Sequence, residues 1–186
     1  MGFQETLHID DCYIPRLFAQ WIADKIIPDE EIIKFDEKSI PINAKSFQDV
    51  LGIPAGHLPV ETDEETGKAA FLQFFGLSEV PPIKYFGDKI INNKELCDDE
   101  FCMCYGSVVL CCFICPNSST KPSTKYMGAL ADVDNINNRN WCQFAHDWMM
   151  WYIKKYLKER AKRNKLTITL GGCIYKMAVC QTSYFI

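Results

Sequence analysis

The sequence predicts a mainly α fold, a single helical domain with a small β-hairpin near residues 31–42. Two observations carry this prediction: apolar residues recur at three- and four-residue spacing over several segments, and two short β-branched runs flank one polar turn. With 48% hydrophobic and 24% charged residues, the 186-residue chain also has the composition of one folded soluble domain. Its longest apolar stretch, Val108 to Cys115, is too short to cross a membrane.

The first elements are an amphipathic helix and the hairpin. Residues 14–26 carry apolar side chains at helical spacing, and Pro15 suits a first helical turn. Pro28 ends this predicted helix. The hairpin then joins residues 32–35 to residues 40–42 across a polar turn.

Three helices are predicted in the middle of the chain. Asn43 can cap a short helix that Gly52 stops. The polar, acidic residues 57–67 predict an exposed loop before a helix over residues 68–77. Residues 98–115 begin with three acidic side chains and are apolar on most sides, which predicts a helix in the core.

The last part of the chain predicts the longest helix. After a short helix near residues 126–130, apolar residues keep helical spacing from Trp141 to Leu157, and we expect Trp148, Tyr152 and Ile153 to lie in the core. Residues 166–170 fit a short strand or an extended link before a final apolar stretch.

Charge is distributed unevenly along the chain. The net charge is −4, yet residues 1–153 hold 12 basic and 23 acidic residues, whereas residues 154–165 hold seven basic residues and one acidic residue. Such a segment can serve as a nuclear-import signal or contact phosphates, and the alternative is a solvated helix end. The candidate residues are Lys154, Lys155, Lys158, Arg160, Lys162, Arg163 and Lys165.

The cysteines and histidines predict neither a metal site nor a catalytic centre. Six of the ten cysteines lie in residues 97–115, but one pair alone has zinc-type spacing and no histidine is near. We therefore expect Cys104, Cys111, Cys112 and Cys115 to pack in the core.

A second cysteine lies on the long helix. Cys142 and His146 are four residues apart there, but no third group or oxyanion hole accompanies them. We interpret His146 as a satisfied histidine on the helix surface. Nucleotide-binding and common hydrolase motifs are also missing from the sequence, so we expect no cofactor and no enzymatic activity.

Several segments together resemble the plant mobile domain, also termed aminotransferase-like, of transposon-encoded plant proteins. They are INAKSFQDVLGIPAG at residues 42–56, LADVD at residues 130–134 and LGGCIY at residues 170–175. Residues 75–81 and 115–126 are similar to a grass-type branch, whose longer members continue into a SUMO-type cysteine protease that we expect to be absent here. The resemblance implies an N-terminal tail at residues 1–11, the helical domain at residues 12–179 and a divergent tail at residues 180–186.

The function implied by this resemblance is that of a non-catalytic, transposon-derived nuclear interaction module. Its expected partner is a nuclear protein or, through the basic helix end, a nucleic acid. We expect no membrane association and no small-molecule substrate. The alternative is a substrate-positioning fragment of a SUMO-type protease protein that lacks its catalytic domain, and the alternative location is the cytoplasm.

Overall fold

A computed structural model of the chain confirms the mainly α domain with a small antiparallel sheet. It describes residues Phe3, Glu5, Thr6, 13–92, 95–163 and 170–182, the side chains of 163 and 180–182 excepted. Within this part of the chain, no helix combines the length and the apolar character that a membrane span requires. Of the short strand or extended link predicted at residues 166–170, all but Leu170 lies outside the described residues.

The predicted hairpin is confirmed, and a third strand joins it. The first elements are α1 (Arg16–Asp24), β1 (Ile26–Ile27), β2 (Ile32–Phe35) and β3 (Lys38–Pro41). The strands are all antiparallel in the order β1-β2-β3, with Ile33 opposite both Ile26 and Ile40. All three isoleucines are buried. The helix predicted to reach residue 26 ends at Asp24, because pairing Ile26 with the sheet buries its side chain.

The predicted apolar face of α1 is partly exposed. The helix buries Ala19, Ile22 and Ala23 against the domain. Leu17 and Trp21 belong to the apolar residues whose spacing predicted this helix, and they are 71% and 44% exposed. The helix is rotated so that its small side chains approach the neighbouring helices.

Four helices follow the sheet: α2 (Lys45–Leu51), α3 (Glu64–Phe75), α4 (Ile83–Asn92) and α5 (Asp98–Val109). As predicted, Asn43 Oδ1 accepts a hydrogen bond from the Ser46 amide at 3.0 Å, and Gly52 ends α2 at a φ of 62°. α3 begins before the predicted position because the Asp63 carboxylate caps it, accepting from the amides of Glu65 and Thr66. Residues 64–67 therefore belong to the helix and not to the loop, and α4 is an addition to the prediction.

The rest of the domain is built around the long α7. α5 continues into a π-helical turn (Leu110–Ile114), so the predicted helix over residues 98–115 is confirmed with a change of pitch. Beyond it are a 3₁₀ turn (Thr124–Tyr126), α6 (Met127–Ala131), a second 3₁₀ turn (Val133–Asn138), α7 (Trp141–Arg163) and α8 (Ile174–Thr182). α7 contacts α1 and α2, and α8 packs on the same two helices.

The described residues near the N-terminus pack on the domain. Phe3 is fully buried, with its ring edge-on to Trp141 at a centroid distance of 5.4 Å. The Thr6 and Tyr105 hydroxyls hydrogen-bond at 2.7 Å. These contacts tie part of the predicted tail to α5 and α7, while the predicted boundaries at residues 11, 12 and 179 stay predictions.

Candidate interaction face of helix α7

The structure describes the side chains of five of the seven predicted basic residues, and two of these five form ion pairs. Arg160 is structural, because its guanidinium lies 2.8 Å from the Asp24 carboxylate and donates to the Tyr156 hydroxyl at 2.7 Å. Lys154 forms an exposed ion pair with Asp29 at 3.3 Å. Arg160 thus joins α7 to α1, whereas the Lys154 pair contributes little because both groups are exposed to water.

The remaining lysines form an exposed stripe. Lys155, Lys158 and Lys162 are exposed and lie three and four residues apart, which places them on one face of α7. None of the three forms an ion pair with another described residue. The Arg163 side chain and Lys165 lie outside the described residues.

The same face is aromatic in the N-terminal half of the helix. Phe144, Trp148 and Trp151 precede Lys155 at helical spacing. Trp151 is 57% exposed, and the Lys155 ammonium lies 5.2 Å from its ring centroid. Aromatic and basic side chains therefore form one continuous stripe along α7, half-buried at Phe144 and Trp148 and exposed from Trp151 to Lys162.

Two of the three residues predicted for the core belong to this surface instead. Ile153 is fully buried, as expected. Trp148 and Tyr152 are only half-buried and line a pocket. The expectation for these two aromatic residues was wrong in that neither is fully buried, although Trp148 packs against the core. Among the described residues, loops border the pocket that both of them line.

The pocket beside the stripe has a volume of about 540 Å³. α7 forms one wall with its aromatic side chains, and two loops form the others. One loop contributes Val60 and Thr62, and the second contributes Ser123 and Lys125. A volume in this range and a lining that combines aromatic side chains with a few polar groups are typical of ligand-binding clefts.

The aromatic wall is held in place by the surrounding structure. The Trp148 indole nitrogen donates to the Pro116 carbonyl at 3.3 Å. Its ring contacts those of Phe144 and Tyr152, each at a centroid distance of 5.8 Å. The pocket is therefore largely formed before any ligand enters.

Polar groups at the pocket combine both signs of charge. Asn140 Oδ1 accepts from the Gln143 amide at 2.9 Å, and Gln143 Nε2 donates to Asp147 Oδ1 at 2.8 Å. Within the described part of the chain, Asn140 Nδ2 and Gln143 Oε1 take part in no hydrogen bond. Lys125 is exposed at the opposite loop. The site thus offers one amide donor, one amide acceptor, a carboxylate and an ammonium group.

Cys142 and His146 do not face each other as a nucleophile and base would. The Cys142 thiol donates to the Ile53 carbonyl at 3.3 Å, and His146 Nε2 lies 3.2 Å from the Ile42 carbonyl. His146 is satisfied as predicted but buried, not on the surface, and its Nδ1 lies 3.2 Å from Asp147 Oδ1. Burial raises the pKa of Cys142 to about 12, which opposes formation of the thiolate.

Three of the six thiols at residues 97–115 are buried. Cys104, Cys111 and Cys115 pack in the core as expected, whereas Cys112 is exposed, so the prediction for Cys112 was wrong. Both cysteines lie in the π-helical turn, whose buried residues are Leu110, Cys111 and Ile114. Among the described residues, no three side chains of metal-binding type converge on one point.

Exposure and thiol pKa together predict the order of alkylation. The hydrogen bond between Cys111 and Cys112 lowers the pKa of the exposed Cys112 thiol, while burial raises the pKa of Cys142. Iodoacetamide at about pH 8 should therefore modify Cys112 at least about a hundredfold faster than Cys142. Peptide mass spectrometry over time measures both rates, and the urea-unfolded chain is the control in which the rates should converge. Equal rates in the folded chain would contradict this assignment of the two thiols.

Sequence reasoning located the basic segment but missed the pocket. The spacing of Phe144, Trp148, Trp151 and Lys155 was a usable signal for the stripe, because it repeats at helical intervals. The loops that complete the pocket lie about 80 and 20 residues away along the chain, and no local pattern marks them.

Comparison with known proteins gives a family and no activity. The family model described as "Domain of unknown function (DUF8566)" matches residues 1–178. No curated protein and no solved structure matches the chain. The family description does not mention the plant mobile domain, so that resemblance stays a prediction.

Proposed function

The chain belongs to the DUF8566 family, and we propose that it is a non-catalytic interaction module that binds a macromolecular partner through the exposed face of α7. The observation that carries this proposal is the continuous stripe from Phe144 to Lys162, with its aromatic half beside the pocket and its basic half in water. Tryptophan and tyrosine are enriched among the few residues that dominate the binding energy of interfaces.

The partner that these groups favour is a protein and not a nucleic acid. Three adjacent lysines support contact with an anionic partner. However, Asp147 lines the pocket, and Thr62 on the opposite loop lies between the exposed residues Glu61 and Asp63. A phosphate backbone would meet these carboxylates, whereas a protein can place a side chain of either sign beside each group.

The resemblance to the plant mobile domain extends this proposal to a nuclear location and a transposon origin. The basic residues Lys162, Arg163 and Lys165 then act as an import signal at the end of α7. The alternative, a substrate-positioning fragment of a SUMO-type protease protein, remains a prediction that the family match does not test.

Charge substitution on the stripe tests the proposed function. We expect Lys155, Lys158 and Lys162 changed together to glutamine to lower partner capture from nuclear extract at least about tenfold, because the anionic partner loses three attractive charges. The matched control changes Lys34, Lys45 and Lys84 to glutamine, which alters net charge equally on other exposed surfaces.

Capture by the tagged chain is measured with and without nuclease, at low and at high salt. Loss of capture in both triple variants alike would show a nonspecific charge effect and contradict the proposal. Capture that nuclease abolishes would replace the protein partner with a nucleic acid. Folding of each variant is followed by urea denaturation, where surface changes of this kind move stability by about half a kcal/mol.

A further inference from the structure

We propose that the pocket on α7 binds an acidic peptide segment of a partner protein, with one aromatic or branched aliphatic side chain inserted against Trp148 and acidic side chains beside Lys155. This inference rests on the proposed function and names the class of segment that the interaction module takes.

The lining of the pocket favours insertion of an apolar side chain from the peptide, which we term the anchor. Phe144, Trp148, Trp151 and Tyr152 form one wall, and the Val60 side chain lies on another. Contacts with Pro116 and with neighbouring rings fix the Trp148 indole, so an entering side chain gains contact area without ordering the wall. Burial of one leucine or phenylalanine side chain against such a surface is typical of interface anchors.

The amide groups at the pocket suit a peptide main chain. Asn140 and Gln143 are held by their own hydrogen bonds, one to the other and one to Asp147. Among the described residues, the Asn140 Nδ2 amino group remains as a donor and Gln143 Oε1 as an acceptor, and the two residues are separated by less than one helical turn. A peptide bond has the complementary pair, one C=O acceptor and one N–H donor.

The charged side chains around the pocket predict which peptide residues flank the apolar anchor. Beyond Trp151 the face continues into Lys155, Lys158 and Lys162, and Lys125 lies on the facing loop. None of these lysines pairs with a carboxylate among the described residues. Acidic side chains that follow the anchor along α7 would therefore meet unneutralised ammonium groups.

A carboxylate in the α7 wall of the pocket limits how far negative charge can extend. Asp147 lies eight residues before Lys155 and is 65% exposed, and its Oδ1 atom accepts a hydrogen bond from Gln143 Nε2 at 2.8 Å. A ligand with uniform negative charge would be repelled at this carboxylate. The peptide should accordingly carry its acidic residues on one side of the anchor, and a neutral or basic residue on the other.

Selection from a phage-displayed library of random peptides on the full chain tests this inference. Enriched peptides should combine an apolar anchor with acidic residues on one side. For a synthetic copy of an enriched peptide, Trp148→Ala should raise Kd at least about tenfold, and Lys155→Gln should raise it about two- to fivefold and reduce its salt dependence. The matched control is Trp21→Ala, which removes a partly exposed tryptophan from α1 and should leave Kd unchanged.

Two further variants keep the test independent of folding. Trp151→Ala and Gln143→Ala change exposed side chains, and each should weaken peptide binding without altering thermal stability. Enrichment of basic or purely hydrophilic peptides, or binding that all pocket variants leave intact, would overturn the inference. It would also be overturned if a dT homopolymer displaced the peptide and bound more tightly.

Failure here can be separated from failure of the proposed function. If the lysine variants abolish partner capture while Trp148→Ala and Trp151→Ala preserve it, the interaction module stands and the pocket is not its peptide site. If the lysine variants capture as much partner as the wild-type chain does, the proposed function itself fails.

Discussion

Replacing Trp141 with alanine should lower the free energy of unfolding by about 3–5 kcal/mol, the largest effect that we expect from a single substitution in this chain. Trp141 is fully buried at the start of α7, and its indole nitrogen donates to the Ile136 carbonyl at 2.8 Å. Its ring also contacts those of Phe3 and Phe144. The substitution leaves a cavity in the core and an unpaired buried carbonyl, and both cost stability.

Urea denaturation and thermal unfolding measure this effect, and a fall in Tm of roughly 6–20 °C corresponds to it in a domain of this size. Trp151→Ala is the matched control. That residue lies in the same helix but is 57% exposed, so its loss should change stability by less than about 1 kcal/mol. Similar losses for the two variants would contradict the burial pattern of α7.

Gly67→Ala should destabilise the protein by about 1–3 kcal/mol, although alanine favours helices over glycine. α3 and α6 cross where Gly67 meets Gly128. A Cβ atom at position 67 would lie 2.7 Å from both the Cα and the amide nitrogen of Gly128. Because backbone atoms cannot rotate aside, the two helices must separate.

The control for this prediction is Gly87→Ala in α4, where no atom lies within 4 Å of the added Cβ. There the same substitution should stabilise the protein by about 0.5–1 kcal/mol through helix propensity alone. Urea denaturation therefore distinguishes the two sites by the sign of the change. A stabilising Gly67→Ala would contradict the close crossing of α3 and α6.

Local chemistry was sufficient to predict several elements from the sequence. The hairpin followed from β-branched runs on both sides of a polar turn, and Gly52 marked the end of α2 because glycine adopts a positive φ without strain. The long α7 followed from apolar spacing and from basic residues in its last turns. Each of these signals lies within a few residues of the feature that it predicts.

The burial of individual side chains depended on which elements pack against each helix face. Helical spacing grouped Leu17, Trp21 and Ile22 on one face of α1, but packing against the domain covers Ile22 and leaves Leu17 71% and Trp21 44% exposed. His146 was expected on the helix surface, yet the Ile42 carbonyl from the end of the sheet lies against it. A periodic pattern identifies the apolar side of a helix but not the neighbour that covers it.

By itself, the sequence determined a mainly α domain, its hairpin, the long helix and the basic segment, because propensity, capping and periodicity act over short distances. Tertiary structure alone decided that Arg160 binds Asp24 while Lys155 and Lys158 remain exposed, and that Trp148 lines a pocket. The pocket exists because two loops distant in sequence meet one face of α7. Such a meeting is set by the packing of the whole core, and no single segment encodes it.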